Sequence, residues 1–197
     1  MNFLAHLHLA EPTPELVLGN LLGDFVKGYP WDDRFPRPVW KGIVEHRAVD
    51  AFTDSHPEWK RSWDLLPDHL KRFAGIVVDI YYDHFLHRHW ELFSGDEAID
   101  GFIDRVHGQL REVLYLAEDE VAEIIDMMIR ERWLESYRTL EGVDQTLKRV
   151  SQRSEILHPI FEAAKDLEND LKEMEGHFLA FYPDLIQHVA EMRTEPG

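Results

Sequence analysis

The 197-residue chain has no cysteine. That absence excludes disulfides, thiolate zinc sites and thiol catalysis, and it suits a reducing compartment. Long apolar runs are missing too: nothing approaches the roughly 20 residues of a membrane helix. The opening "MNFLAHLHLAEP" has no basic n-region and is interrupted by His6 and His8, so it does not read as a signal peptide, and the expected location is cytoplasmic. Basic residues are scarce, with 21 Lys and Arg against 38 Asp and Glu and a net charge of −17. A surface of that sign repels nucleic acid and anionic membranes unless a local basic patch overrides it. Gly/Ser linkers, internal repeats and useful stretches of β-alternation are also absent.

Apolar residues recurring at helical spacing are present from end to end. Thr13-Pro14 reads as an N-cap with proline at the first helical position, and "PELVLGNLLGDFVKG" follows as a helix closing at Gly28. "VWKGIVEHRAVDAFTDS" reads as a helix stopped before Pro57, and Asp68 to Phe93 as one long helix. Ile156 to Phe181 and Pro183 to Met192 complete the chain as two more. Only "NFLAHLHLA" fits either period. The expected fold is all-α, a single compact domain over residues 1–197.

Twelve histidines are many for this length, and their placement beside carboxylates is the main functional signal. Asp79 and Asp83 share one face of an apolar helix, with His84 and His87 nearby. Two carboxylates there need solvent, a Lys or Arg from elsewhere, or a divalent cation. His46, Asp50 and Asp54 fall at four-residue steps on one helix, a workable divalent-metal pattern. Asp24 interrupts the apolar pattern of Leu21, Leu22 and Phe25, and His6 and His8 lie among leucines. Each signal also has a plain reading, as a solvated helix face or a hydrogen-bonded core histidine. Their concurrence on four helices points to a carboxylate/histidine metal site.

"MNFLAHLHLA", "GNLLGDFVKG", "GIVEHRAVDAFTD", "DHFLHRHW" and "FLAFYPDL" together closely resemble the acyl carrier protein phosphodiesterase family, from Met1 to about Pro183. The resemblance implies an all-helical enzyme that hydrolyses the phosphodiester linking 4′-phosphopantetheine to the serine of holo acyl carrier protein. It implies a metal-activated water and a divalent metal, with manganese favoured. It further implies a likeness to the His-Asp (HD) metal phosphohydrolases, whose "LLHDxxK" segment is similar to "LLGDFVK". Asp24 and Lys27 take the Asp and Lys positions, and Gly23 stands where a histidine is usual.

On that basis the expected metal ligands are His6, Asp24, His46 and Asp83, with Asp50 and Asp79 in a second tier and His8 as the alternative to His6. His46 is a candidate replacement for the imidazole missing at position 23. Lys27 and Arg47 are expected to neutralise phosphoryl oxygens, and His84 to protonate the leaving oxygen. An acidic carrier protein needs a basic patch to dock on this acidic chain, and Arg149 and Arg153 are the candidates. Two competing readings remain: an HD-type phosphohydrolase acting on a small phosphoester or nucleotide, and a helical binding protein without chemistry.

Overall fold

The computed structural model describes residues 1–28 and 31–194. Its α-helices are α1 (Phe3–Leu9), α2 (Pro14–Leu22), α3 (Arg37–Ser55), α4 (Pro57–Leu65), α5 (Ala74–Arg88), α6 (Trp90–Phe93), α7 (Ile99–Val113), α8 (Asp119–Arg130), α9 (Trp133–Ser136), α10 (Leu140–Ser151), α11 (Ala163–Asp166) and α12 (Leu171–Thr194). Short 3-10 turns span Lys71–Phe73, Leu114–Leu116 and Glu155–Glu162. No strand occurs among the described residues, so the all-α expectation holds. The ambiguous "NFLAHLHLA" is helical.

Four boundaries differ from the sequence reading, and in one of them the helix expected from Ile156 to Phe181 is divided into the 3-10 turn Glu155–Glu162, α11 and the start of α12 at Leu171. The helix expected to run to Gly28 stops at Leu22, and Asp24 lies in a turn beyond it. The helix expected from Asp68 to Phe93 is broken at its start by a 3-10 turn and again at His89. In contrast, α12 continues through Pro183, where a break was expected. A proline there forfeits one ladder hydrogen bond. The same stretch buries Phe178, Phe181, Tyr182 and Leu185, all fully enclosed, and that apolar burial offsets the missing bond.

The described residues fall into two compact units that interleave along the chain. One comprises Phe3–Ala51 and Trp90–Glu135. In it α2 packs against α1 and α7, and α7 buries Phe102, Ile103, Val106, Leu110 and Val113 at helical spacing. The other comprises Met1–Asn2, Phe52–His89 and the described residues of Ser136–Gly197. There α12 lies on α4 and α5, and α5 on α10. Its centre is aromatic: the Tyr82 ring is 5.3 Å from Phe178 and 5.5 Å from Phe181.

Within the first unit, two glycines allow a close approach of α2 and α3. A Cβ on Gly19 would lie 2.2 Å from the Val39 carbonyl oxygen and 2.8 Å from Gly42 Cα. One on Gly42 would lie 2.5 Å from the Leu16 carbonyl oxygen. The α2 and α3 backbones touch at this point. One turn further along the chain from each glycine lie Gly23 and His46, so the contact fixes where the His46 ring goes.

Candidate metal centre

His6 on α1, His46 and Asp50 on α3, and Asp24 in the turn after α2 all belong to the first unit. The four-residue step from His46 to Asp50 places both on one side of α3. His46 Nε2 is 3.0 Å from Asp50 Oδ2, and His6 Nε2 is 3.2 Å from Asp50 Oδ1. The two imidazoles stack with centroids 3.8 Å apart and planes 16° from parallel. Asp24 Oδ1 lies 3.4 Å from His46 Nε2. Both rings are buried, whereas Asp50 is 37% and Asp24 52% exposed, so the donor set opens to solvent on its carboxylate side.

The His46 ring sits where a side chain at position 23 would be. A Cβ on Gly23 would lie 2.1 Å from both Cγ and Cδ2 of His46. The backbone at Gly23 is right-handed helical, so glycine is required here for space and not for conformation. The His46 ring thus takes the space that any side chain at position 23 would need.

The orientation of His46 constrains its chemistry. Nδ1 is 2.8 Å from the Asn20 carbonyl oxygen, which can only accept, so Nδ1 carries the hydrogen. In the neutral ring Nε2 then holds a lone pair. That atom is buried and faces two carboxylates, at 3.0 Å from Asp50 and 3.4 Å from Asp24. A lone pair against carboxylate oxygens is repulsive unless positive charge lies between them, either a proton or a metal cation. Burial pulls His46 down, but Asp24 and Asp50 outweigh it and push its pKa up to about 9, so a proton holds that position at neutral pH. Burial likewise raises Asp50, and His46 and His6 override it, holding Asp50 well below the usual carboxylate range. Burial lowers His6 to about 4, outweighing its contact with Asp50, so it stays neutral beside a charged neighbour.

These residues fit a divalent cation. His6, His46 and Asp50 each offer a ligand atom within 4.8 Å of the others. Two donors each about 2.1 Å from a shared ion lie about 3.0 Å apart at a right angle and about 3.4 Å apart at the tetrahedral angle. The separations of 3.0 Å from His46 to Oδ2 and 3.2 Å from His6 to Oδ1 of Asp50 fall in that range for each histidine taken with its own carboxylate oxygen. Two imidazoles and a carboxylate suit Mn, Fe or Zn in donor type.

The other sequence-predicted residues are placed as follows. His8 meets Trp90 edge-on at 4.9 Å and stands near Phe102, while His6 is the histidine of α1 that joins the cluster. Burial lowers His8 to about 4, outweighing its hydrogen bond with the Phe93 backbone. Because the unfolded chain takes up this proton at about 6.5, the stability contributed by neutral His8 is intact above that pH and declines as pH falls toward 4. His8→Leu is therefore expected to flatten the acid limb of a stability-versus-pH curve over that interval while leaving the metal stoichiometry unchanged. Thermal melts at stepped pH, with elemental analysis, check both.

Arg47 donates to the carbonyls of Val26 at 2.7 Å and Gly28 at 3.1 Å. It holds the turn that carries Asp24 and Lys27. Asp79 and Asp83 belong to α5 in the other unit. Asp79 is met by the Met1 amino nitrogen at 3.2 Å and by Trp59 Nε1 at 3.3 Å, so its partners are donors from elsewhere in the chain. Asp83 is fully buried, and its charge adds to burial in pushing the Tyr137 and Tyr182 phenols up. His84, in the same unit, gives its Nδ1 hydrogen to the Tyr137 carbonyl at 2.7 Å, and burial lowers its pKa. In that neutral state it has no second N–H for a leaving group. Arg149 on α10 donates to Thr146 Oγ1 at 3.0 Å.

Sequence reading set Asp50 in a second tier, and among the described residues it lies beside both imidazoles. The available signal was its four-residue step from His46. No helix among the described residues is long and apolar enough to cross a membrane.

Comparison with known proteins extends the picture beyond this cluster. A family model described as acyl carrier protein phosphodiesterase matches residues 1–185. A Salmonella agona protein named acyl carrier protein phosphodiesterase is 34% identical over 190 residues, covering 96% of this chain and 98% of its own length. An Enterobacter protein of the same name is 34% identical over 186 residues, covering 94% and 96%. No solved structure matches the chain.

Proposed function

The chain belongs to the acyl carrier protein phosphodiesterase family, and from that membership we propose that it hydrolyses the phosphodiester between 4′-phosphopantetheine and the serine of holo acyl carrier protein, in the cytoplasm. The observation that carries the chemical part is the convergence of His6, His46 and Asp50, whose ligand atoms lie within 4.8 Å of one another, with Asp24 beside His46. Two imidazoles and a carboxylate are a donor set that fits a divalent cation.

His6, His46 and Asp50 are the proposed holders of a divalent metal, manganese by family resemblance, with Asp24 at its edge. Asp79 and Asp83 of α5 fall in the other unit and are not part of this donor set. A bound divalent cation supplies Lewis acidity toward a phosphoryl oxygen and lowers the pKa of a water.

The chain's own groups do the positioning. Asn20 fixes the tautomer of His46 through its carbonyl, as outer partners of metal-binding histidines generally do. Arg47 braces the 23–28 turn, so that Lys27 and Asp24 keep a fixed relation to α3. Lys27 is exposed and is the proposed partner for non-bridging phosphoryl oxygens. With the one N–H of His84 committed to Tyr137, the proton for the departing serine oxygen is assigned to water.

Docking of an acidic partner on a chain of net charge −17 requires local positive charge. Arg149 and Arg153 are the proposed contacts. In the same unit the residues after them expose Ile156 and Phe161. Arg149→Glu with Arg153→Glu is expected to raise KM for holo carrier protein about tenfold or more while changing kcat little. Steady-state kinetics at two salt concentrations check this, and an unchanged KM would remove these residues from the docking surface.

The functional assignment itself is tested by intact mass of holo carrier protein incubated with the manganese-loaded chain. Loss of the 4′-phosphopantetheine mass supports it. An unchanged holo mass under conditions where the chain is folded and metal-loaded overturns it.

A further inference from the structure

The second unit contains a cleft of about 730 Å3 that the reaction described above does not use. Its volume is within the usual range for small-molecule sites. Arg88 at the end of α5, Arg138 just before α10 and Lys172 at the start of α12 bring positive charge to it from three segments. Glu168 and Glu175 also line it, but Glu175 is already taken, with His89 Nε2 at 2.6 Å and Arg88 Nε at 3.3 Å. That pairing also restrains the Arg88 side chain. With three cations against two carboxylates, this concave surface has a small positive excess in a chain of net charge −17.

His84 adds a group of the opposite kind. It is 6% exposed and lines the cleft. Because its Nδ1 hydrogen goes to the Tyr137 carbonyl, the neutral ring can only accept at Nε2. Leu140 and Leu171 supply apolar wall. The cleft therefore combines cations suited to a dianion, an acceptor suited to a hydroxyl or amide N–H, and aliphatic surface.

We propose that this cleft binds a small phosphomonoester whose organic arm carries hydroxyl or amide donors. A phosphomonoester carries close to two negative charges at neutral pH and accepts several charge-assisted hydrogen bonds, which suits a lining with two guanidinium groups and an ammonium. Within the proposed function, the released 4′-phosphopantetheine is a molecule of this class, and naming it as the ligand rests on that reading. The cleft is then a product site, distinct from the residues that hold the cation.

Calorimetry on the full-length, EDTA-treated chain tests this, with 4′-phosphopantetheine, pantetheine and inorganic phosphate as probes. Wild type and Asp50→Asn are expected to bind 4′-phosphopantetheine equally, since the cation site is not involved. Pantetheine, lacking the phosphate, is expected to bind at least about tenfold more weakly, as is 4′-phosphopantetheine to an Arg138→Ala, Lys172→Ala variant with unchanged helicity. Three results would overturn the proposal. They are no binding by the metal-free chain, full affinity in the Arg138/Lys172 variant, and equal affinity for inorganic phosphate and 4′-phosphopantetheine. A chain that binds 4′-phosphopantetheine in this way but never releases it from holo carrier protein would leave the cleft assignment standing and overturn the proposed function alone.

Discussion

Asp50→Asn is expected to lower hydrolysis of holo acyl carrier protein by far more than 10²-fold and to remove stoichiometric metal from the purified chain. The lower bound follows from scale: losing a single outer partner of a metal ligand typically costs 10–100-fold, and Asp50 is the group in contact with both imidazoles. Asparagine keeps the shape and removes the charge. His46 then loses one of the two carboxylates that raise its pKa, and a divalent ion loses its anionic ligand. Single-turnover kinetics with elemental analysis of the same preparation reads both effects. Full activity with bound metal retained would exclude Asp50 as a ligand.

Gly23→Ala is the second large effect. Alanine suits the right-handed helical backbone at position 23, and taken alone it would be neutral or mildly stabilising. The methyl group, however, would overlap the His46 ring, with Cγ and Cδ2 each 2.1 Å away. Overpacking of this kind typically costs about 1–3 kcal/mol. The ring must swing off its bond to the Asn20 carbonyl, so metal affinity is expected to fall by about tenfold or more. Combining Gly23→Ala with His46→Ala separates the two consequences. The double variant is expected to recover the lost stability, because the clash is gone, and to remain inactive, because the ligand is gone. Denaturant melts and manganese titrations on the three variants decide it. If Gly23→Ala binds metal as tightly as wild type, the seat assigned to His46 is wrong.

Much of this site is legible along the chain because helical periodicity is a local property. His46 and Asp50 one turn apart, and Asp24 breaking an apolar stripe, are visible without coordinates. What is not visible depends on how helices meet. That His46 occupies the space at Gly23 follows from the α2–α3 contact at Gly19 and Gly42, which are ordinary residues in a sequence. The choice of His6 over His8 follows from which face of a seven-residue helix meets α3, and a segment that short carries too few residues to fix its face by periodicity. Spacing leaves solvent, a basic side chain or a cation open as the partner of Asp79, and the Met1 amino nitrogen beside it, 78 positions away in the chain, is a partner that no spacing rule announces. The interleaving of residues 3–51 with 90–135 is likewise a tertiary fact, so a linear reading sees only one run of helices. Pro183 shows the converse: a strong local stop signal is overridden where the helix buries a line of aromatic side chains.

The most direct measurement is an anomalous-difference map from crystals of the chain grown with manganese. A single strong peak within bonding distance of His6 Nε2, His46 Nε2 and an Asp50 carboxylate oxygen is the predicted result. A fully occupied manganese peak bound elsewhere, with His46 Nε2 left facing only Asp24 and Asp50, would contradict the account.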